Sequence, residues 1–323
     1  MAEQLTIGVL RGRAHGRSSE EAAEALRERL PDHEIRYART RAEELAVAED
    51  ADVLVGLRAD DELLEASENL RIFAAGSAGV DHLPLDAFEA QDVAVTNASG
   101  VHGPNMAEHV LATLLSLTRR LDVGMRQQRR REWRRFQTRG ELYDSTVTVV
   151  GLGAIGEALV ERLSGFGVHT IGVRYSPEKG GPTDEVIGFD DEKLADAFAR
   201  TDALVLACPL TETTRGLVDD DAFRTLPTDS ILVNVARGPV VDTDALVSAL
   251  QSNSIAAAAL DVTDPEPLPE DHPLWTFGNV IITPHSAGDT PQYWQRVADI
   301  VAENVEQLEE GGEDAKLRNR VEF

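Results

Sequence analysis

Apolar residues recur along this chain with two periods. Residues 5–10, 52–57, 71–75 and 93–97 form short runs rich in β-branched and aliphatic side chains and predict strands. Residues 18–30 and 60–66 place apolar side chains at helical spacing between them. In the second half the same alternation predicts strands at 147–150, 168–173, 203–207, 231–236, 255–262 and 280–283, six in all, each followed by a helical stretch. Strand-then-helix repetition predicts an α/β protein with mostly parallel sheets, and a six-strand doubly wound sheet is the Rossmann arrangement. A long helical pattern starting at Asn105 carries Met106, His109, Val110, Leu114, Leu117 and Leu121, wide enough in apolar positions to be buried on more than one side. Residues 291–310 predict an acidic amphipathic helix presenting Trp294, Val297, Ile300, Val301, Val305 and Leu308, which needs a partner surface such as the first domain.

Length adds the expectation of two domains of ordinary size, since 323 residues exceed one. The polar loop 177–184 is too short to be a linker between them, and no internal repeat appears. No apolar run approaches the length needed to cross a bilayer, and the first residues lack a signal pattern, so no membrane association and a cytoplasmic location are expected.

The most informative stretch is the β-branched run 146–150 leading into Gly151-Leu152-Gly153-Ala154-Ile155-Gly156 and then into an amphipathic segment. At a strand-to-helix turn, Gly151 suits the tight bend and Gly153 leaves room for a pyrophosphate. Gly156 lets the helix pack on the strand, its positive end toward the anion. The context favours a dinucleotide site over a glycine turn that binds nothing. A second glycine-bearing loop, residues 74–80, follows a strand and is equally readable as an anion-binding backbone or as a plain connection.

Charge changes the picture of the surface. There are 57 acidic against 31 basic residues, a net charge of −26, and the lysines are Lys179, Lys193 and Lys316 alone. An acid-rich, lysine-poor surface resembles those of proteins from salt-accumulating halophiles. There the Debye length of about 3 Å at molar salt screens the self-repulsion. Nucleic acid is an unsuitable partner for such a charge. The arginine-rich segment 126–135, with Trp133 and Phe136 nearby, therefore reads as an exposed face or a subunit contact. Cys208, the single cysteine, lies in an apolar run and excludes both an intrachain disulfide and a cysteine zinc cluster. The histidines, His102 and His109 among them, lack a zinc-ligand spacing, so no metal is expected.

Three charged side chains fall where strands of the second domain end: Arg237, Glu266 and His285. Strand ends of an open parallel sheet face the ligand crevice, so these residues can converge. A histidine held by a carboxylate beside an arginine is a proton donor next to an anion clamp.

Four ordered motifs carry a resemblance: the glycine turn, Asn234-Val235-Ala236-Arg237-Gly238, Asp261-Val262 through Glu266-Pro267-Leu268, and Pro273-Leu274-Trp275 through Thr283-Pro284-His285. They cover nearly the whole chain, which is similar to the D-isomer-specific 2-hydroxyacid dehydrogenases. The resemblance implies two Rossmann-like doubly wound domains: a flavodoxin-like substrate domain over residues 1–100 and 287–323, and a dinucleotide-binding domain over 101–286. It implies that the first closes over the second and that the helix after residue 105 builds a homodimer. It also implies that Arg237 binds and polarises a 2-oxoacid, that His285 is the acid/base with Glu266 its partner, and that backbone amides near Ser77, Ala78 and Gly79 hold the substrate carboxylate. The expected cofactor contacts are Gly151, Gly153, Ala154, Ile155, Gly156, Arg174, Tyr175, Ser176, Cys208, Pro209, Val235, Ala236, Asp261 and Gly288.

One departure bears on the cofactor. NAD-selective Rossmann units place an acid about 20 residues beyond the glycine turn, but here the strand ends in Arg174-Tyr175-Ser176. A guanidinium and a hydroxyl suit a 2′-phosphate, so NADP(H) is expected first and NAD(H) second. Arg58, Ser77, Tyr293 and Trp294 are candidates for shaping the substrate pocket. Competing readings are a phosphoglycerate or a glyoxylate/hydroxypyruvate reductase, a formate dehydrogenase, disfavoured by Glu266, and a non-enzymatic dinucleotide-sensing corepressor.

Overall fold

The structure, a computed structural model, describes residues 4–312 and 315–322. It divides into two compact units, Met1–Val101 with Asp289–Phe323, and His102–Gly288.

The first unit holds five parallel strands in the sheet order Glu34–Tyr37, Thr6–Val9, Val53–Gly56, Ile72–Ala75, Ala94–Thr96. That is the flavodoxin-like order. Alternation along the strands sorts the core into two faces. Ile7, Val9, Val53, Val55, Ile72 and Ala74 pack against the helices Glu20–Arg29 and Tyr293–Gly311. Leu54, Phe73 and Val95 pack against Arg41–Ala48, Asp61–Ala66 and Leu85–Ala90. The terminal helix buries Trp294, Val297, Ile300, Val301, Val305 and Leu308, the stripe its spacing predicts. Trp294 is 1% exposed and Tyr293 3%, so both belong to the core of this unit rather than to a pocket wall. Burying aromatic side chains of this size contributes about 1.5–3 kcal/mol each.

The second unit is a seven-stranded parallel sheet in the order Glu185–Ile187, His169–Val173, Thr146–Val150, Ala203–Leu206, Ile231–Asn234, Ala257–Leu260, Val280–Ile282. This is the doubly wound Rossmann order with one strand more than the six expected. Val147, Val149, Val205 and Val233 face the helices Gly103–Thr118 and Ala154–Leu163. Leu204, Leu206, Leu232 and Leu260 face Asp191–Ala199, Asp220–Thr225 and Thr243–Ser252.

Three sequence expectations change. The strands Glu34–Tyr37 and Glu185–Ile187 were missed because each lies at a sheet edge, where few residues are buried and charges are tolerated. The long helix does not run through Leu121: it ends at Thr118, Arg120 takes a left-handed backbone (φ 53°), and a new helix, Leu121–Arg129, begins. Nor is it buried on several sides. Ala107, Val110, Thr113, Leu114, Leu117 and Thr118 form one buried stripe, while Met106, Leu111 and Leu115 are only partly covered. Among the described residues no helix is long and apolar enough to cross a membrane.

Candidate active site

Every strand of the second unit is parallel, so all the loops that follow the strands leave from one edge of the sheet. In sheet order those loops bring Arg174, Gly151, Cys208, Arg237, Glu266 and His285 along that edge, although the chain order differs.

The glycine turn has the geometry its spacing predicts. Gly151 has φ 103°, and a methyl group there would meet the Ala207 carbonyl and the Cys208 backbone at 2.7 Å. A methyl on Gly156 would lie 2.0 Å from the Gly151 carbonyl oxygen, so the helix Ala154–Leu163 can approach the strand only with glycine. Gly153 caps that helix and faces open space, with nothing within 4 Å of a methyl built on it. Gly153 and Ala154 are exposed, so the amino end of the helix is free to receive an anion. Ile155 is half-buried.

Beside this turn lies a cleft of about 310 Å³ lined by Gly151, Gly153, Arg174, Tyr175, Ser176, Cys208 and Pro209, all expected as cofactor contacts. Lys179, Phe189, Thr211, Thr213 and Thr214 line it too, and sequence reasoning had not placed them. Arg174 donates to the Gly180 carbonyl at 2.6 Å and stands 4.0 Å from Glu157. Its guanidinium is thereby fixed, while Tyr175 stays 83% exposed. Burial pushes the Cys208 thiol up to about 11, which leaves it uncharged and unreactive at neutral pH. Val235 and Ala236 also have buried side chains.

Farther along the edge, His285 Nδ1 is 2.6 Å from Glu266 Oε1, and both side chains are close to half exposed. Two less visible residues build the loops that carry them. Asn234, 1% exposed, accepts from the Ala236 amide at 3.0 Å and donates to the Arg237 carbonyl at 3.2 Å, shaping the turn from which the exposed Arg237 emerges. Arg237 Nη1 donates to the Ala236 carbonyl at 2.7 Å. Gly238 then presses on the next loop: a methyl there would fall 2.0 Å from the Thr263 carbonyl oxygen. The Arg237 and Glu266 loops are therefore in direct backbone contact.

Asp261 is a buried scaffold carboxylate. It accepts from the Thr283 hydroxyl at 2.6 Å and from the Ser286 and Ala287 amides at 2.9 Å each, while its carbonyl accepts from the His285 amide at 2.8 Å. These bonds wrap the turn 283–287 around His285, whose backbone is left-handed at φ 51°. His109 Nε2 lies 3.2 Å from the Thr283 hydroxyl, so one residue of the long helix also reaches this network. Gly288 follows the turn at the end of the unit and is half-buried.

Residues 77–79 belong to the first unit, after the strand Ile72–Ala75. The Tyr293 hydroxyl donates to the Gly76 carbonyl, and the Ala98 amide donates to the Ser77 carbonyl at 3.0 Å. The Ser77 hydroxyl donates to the Gly79 carbonyl at 2.8 Å, and Ala78 and Gly79 are exposed. The loop is thus fastened through its carbonyls, an arrangement that suits it to presenting N–H groups.

Comparison with known proteins agrees with this geometry. Residues 111–287 match the family model of the D-isomer specific 2-hydroxyacid dehydrogenase NAD binding domain. A glyoxylate reductase of Thermofilum pendens is 36% identical over 275 residues, covering 82% of this chain and 80% of the relative. A D-3-phosphoglycerate dehydrogenase of Methanocaldococcus jannaschii is 33% identical over 90% of this chain, which spans only 56% of that longer protein. A solved D-isomer specific 2-hydroxyacid dehydrogenase of Xanthobacter autotrophicus Py2, in complex with NADPH and MES, superposes with a TM-score of 0.76 at 28% identity, covering 99% of this chain and 98% of that one. With a matching family model over more than half its length and these relatives, the chain belongs to the D-isomer specific 2-hydroxyacid dehydrogenase family of oxidoreductases.

Proposed function

We propose that this protein interconverts 2-oxocarboxylic acids and D-2-hydroxycarboxylic acids with a nicotinamide cofactor, NADP(H) in preference to NAD(H). The observation that carries the reading is the 2.6 Å His285–Glu266 pair, with Glu266 on a loop touching the one that presents Arg237. The cofactor, when bound, supplies the hydride for C2 of the substrate. Protonated His285 donates its Nε2 proton to the carbonyl oxygen, and Glu266 holds the imidazole through Nδ1. Arg237 binds the substrate and stabilises the negative charge that develops on that oxygen. The exposed loop 77–79 of the first unit has amides suited to a carboxylate. In the reverse direction neutral His285 takes the hydroxyl proton.

The NADP(H) preference rests on the cleft beside the glycine turn, which Arg174, Ser176 and Lys179 line and, among the described residues, no carboxylate does, Glu157 standing 4.0 Å from Arg174 outside it. The Xanthobacter relative holds NADPH in its solved structure. The names of the relatives make glyoxylate and hydroxypyruvate, and D-3-phosphoglycerate in the oxidative direction, the first substrates to try.

A homodimer is proposed from the partly covered Leu111 and Leu115 and from the helix Leu121–Arg129, which buries none of its residues. Leu121, Met125 and Trp133 stand 47%, 57% and 102% exposed on the adjoining surface. The acidic surface suits the folded protein to molar salt.

The test is a panel of 2-oxoacids assayed with NADPH and NADH at molar KCl, with chiral analysis of the product. Turnover to a D-2-hydroxy acid supports the reading. Cofactor binding without turnover of any 2-oxoacid would instead support the dinucleotide-sensing alternative.

A further inference from the structure

The second unit has another polar groove, at the opposite edge of its sheet. It lies where the strands Ile231–Asn234, Ala257–Leu260 and Val280–Ile282 begin, with Asp229, Ala256 and Asn279 in its wall. Its volume is about 990 Å³, and three arginines line it: Arg120, Arg126 and Arg139.

Only one of the three is neutralised. Arg126 donates to Asp122 and to the Gly278 carbonyl, both at 2.9 Å. Among the described residues neither the Arg120 nor the Arg139 guanidinium has an ion pair or a hydrogen bond, and Arg120 Nε is buried without a partner. Asp229, the one carboxylate in the wall, makes no ion pair with either. Ser230, which follows it and is 1% exposed, also has a buried hydroxyl without a partner.

The fold brings the two arginines together. The left-handed turn at Arg120 ends the long helix, and the Arg139 amide donates to the Thr118 carbonyl at 3.0 Å, folding the arm back on that helix end. Burial first, then the Arg120 charge, lowers the Arg139 pKa from its usual value, with Asp122 opposing. A guanidinium nevertheless stays charged at any working pH. Two partly buried like charges that no ion pair neutralises are unfavourable, and an oxyanion bridging them reduces that penalty while making bidentate, charge-assisted hydrogen bonds. What sets this pair apart from the exposed arginines is that both side chains are partly covered, with Arg120 Nε fully buried.

We propose that Arg120 and Arg139 form a second anion site, at the sheet edge away from the dinucleotide loops, that takes a small free oxyanion of the phosphate or carboxylate class. The amides of Gln137 and Gln251, which also line the groove, are further donors for it.

The experiment uses inorganic phosphate as the probe, at fixed pH and fixed molar KCl, with nicotinamide cofactor saturating. Thermal unfolding is followed for the wild type, Arg139→Gln and Arg120→Gln. The wild type should show a saturating rise in Tm with phosphate, the signature of binding to the folded state. Each variant should weaken the phosphate affinity about 10-fold or more while its cofactor affinity is unchanged. General salting effects grow without saturation and are equal in all three proteins. An equal response in wild type and variants overturns the proposal. So does a change in oligomer mass in the variants without a saturating phosphate response in the wild type, which would make the counterion an acidic side chain of a second copy. Should Arg120→Gln not fold, Arg139→Gln and Arg139→Lys still decide: Lys, which keeps the charge, should retain part of the response.

Discussion

His285 Nδ1 and Glu266 Oε1 lie 2.6 Å apart on loops that follow neighbouring strands, so the ring has one nitrogen committed and Nε2 left for proton exchange. The carboxylate accepting from Nδ1 sets the tautomer as well as the orientation. Glu266→Gln keeps the shape but replaces the carboxylate acceptor at Nδ1 by an amide that can turn either a donor or an acceptor to the ring. We expect kcat for reduction to fall about 100-fold, with cofactor KM unchanged. A kcat equal to wild type would remove Glu266 from this role.

Gly238 permits the Arg237 and Glu266 loops to touch. Gly238→Ala places a methyl 2.0 Å from the Thr263 carbonyl oxygen, where the neighbour is backbone and cannot swing aside. Overpacking of this kind costs about 1–3 kcal/mol, and a displacement of the loops by about 1 Å can cost roughly 100-fold in rate. The expected result is a lower Tm together with a loss of kcat larger than that of KM, measured by thermal unfolding and steady-state kinetics.

For the cofactor, Lys179→Ala and Arg174→Ala should each raise the NADPH KM by about 10-fold and leave the NADH KM nearly unchanged. The double variant should reverse the preference. Arg174→Ala also removes the bond to the Gly180 carbonyl, so Lys179→Ala is the cleaner of the two. If kcat/KM already favours NADH in the wild type, the preference proposed for this cleft is wrong.

Salt dependence follows from 57 acidic against 31 basic residues. Tm should climb steeply from millimolar to molar KCl as repulsion among exposed carboxylates is screened. A flat curve would show that the surface charge is neutralised within the fold.

The central strands of both sheets and the glycine turn were legible in the sequence because buried parallel strands read as unbroken apolar runs and the turn has a fixed spacing. Arg237, Glu266 and His285 were legible because each stands just beyond such a run. The edge strands Glu34–Tyr37 and Glu185–Ile187 were not, since one face and one margin of an edge strand meet solvent and its composition resembles a loop. The end of the long helix was hidden too: nothing in Thr118-Arg119-Arg120-Leu121 announces a left-handed residue that is not glycine or asparagine. Asn234 was named only within a motif, and Asp261 was expected as a cofactor contact rather than as a scaffold, because the work of both is to bond backbone amides of segments that meet them in the fold. Lys179 escaped because it reaches the cleft from the far side of a short turn, Pro177–Lys179, that carries no fixed spacing from Gly151.

The left-handed backbone at His285 means that the imidazole is not at rest in its own local preference: for a residue with a β-carbon that conformation costs on the order of 1 kcal/mol. The turn stays wound because Asp261 restrains it from beneath, through Thr283, Ser286 and Ala287. The position of the proton donor therefore depends on a carboxylate that never meets substrate: the strain at His285 is held by three bonds to one buried side chain.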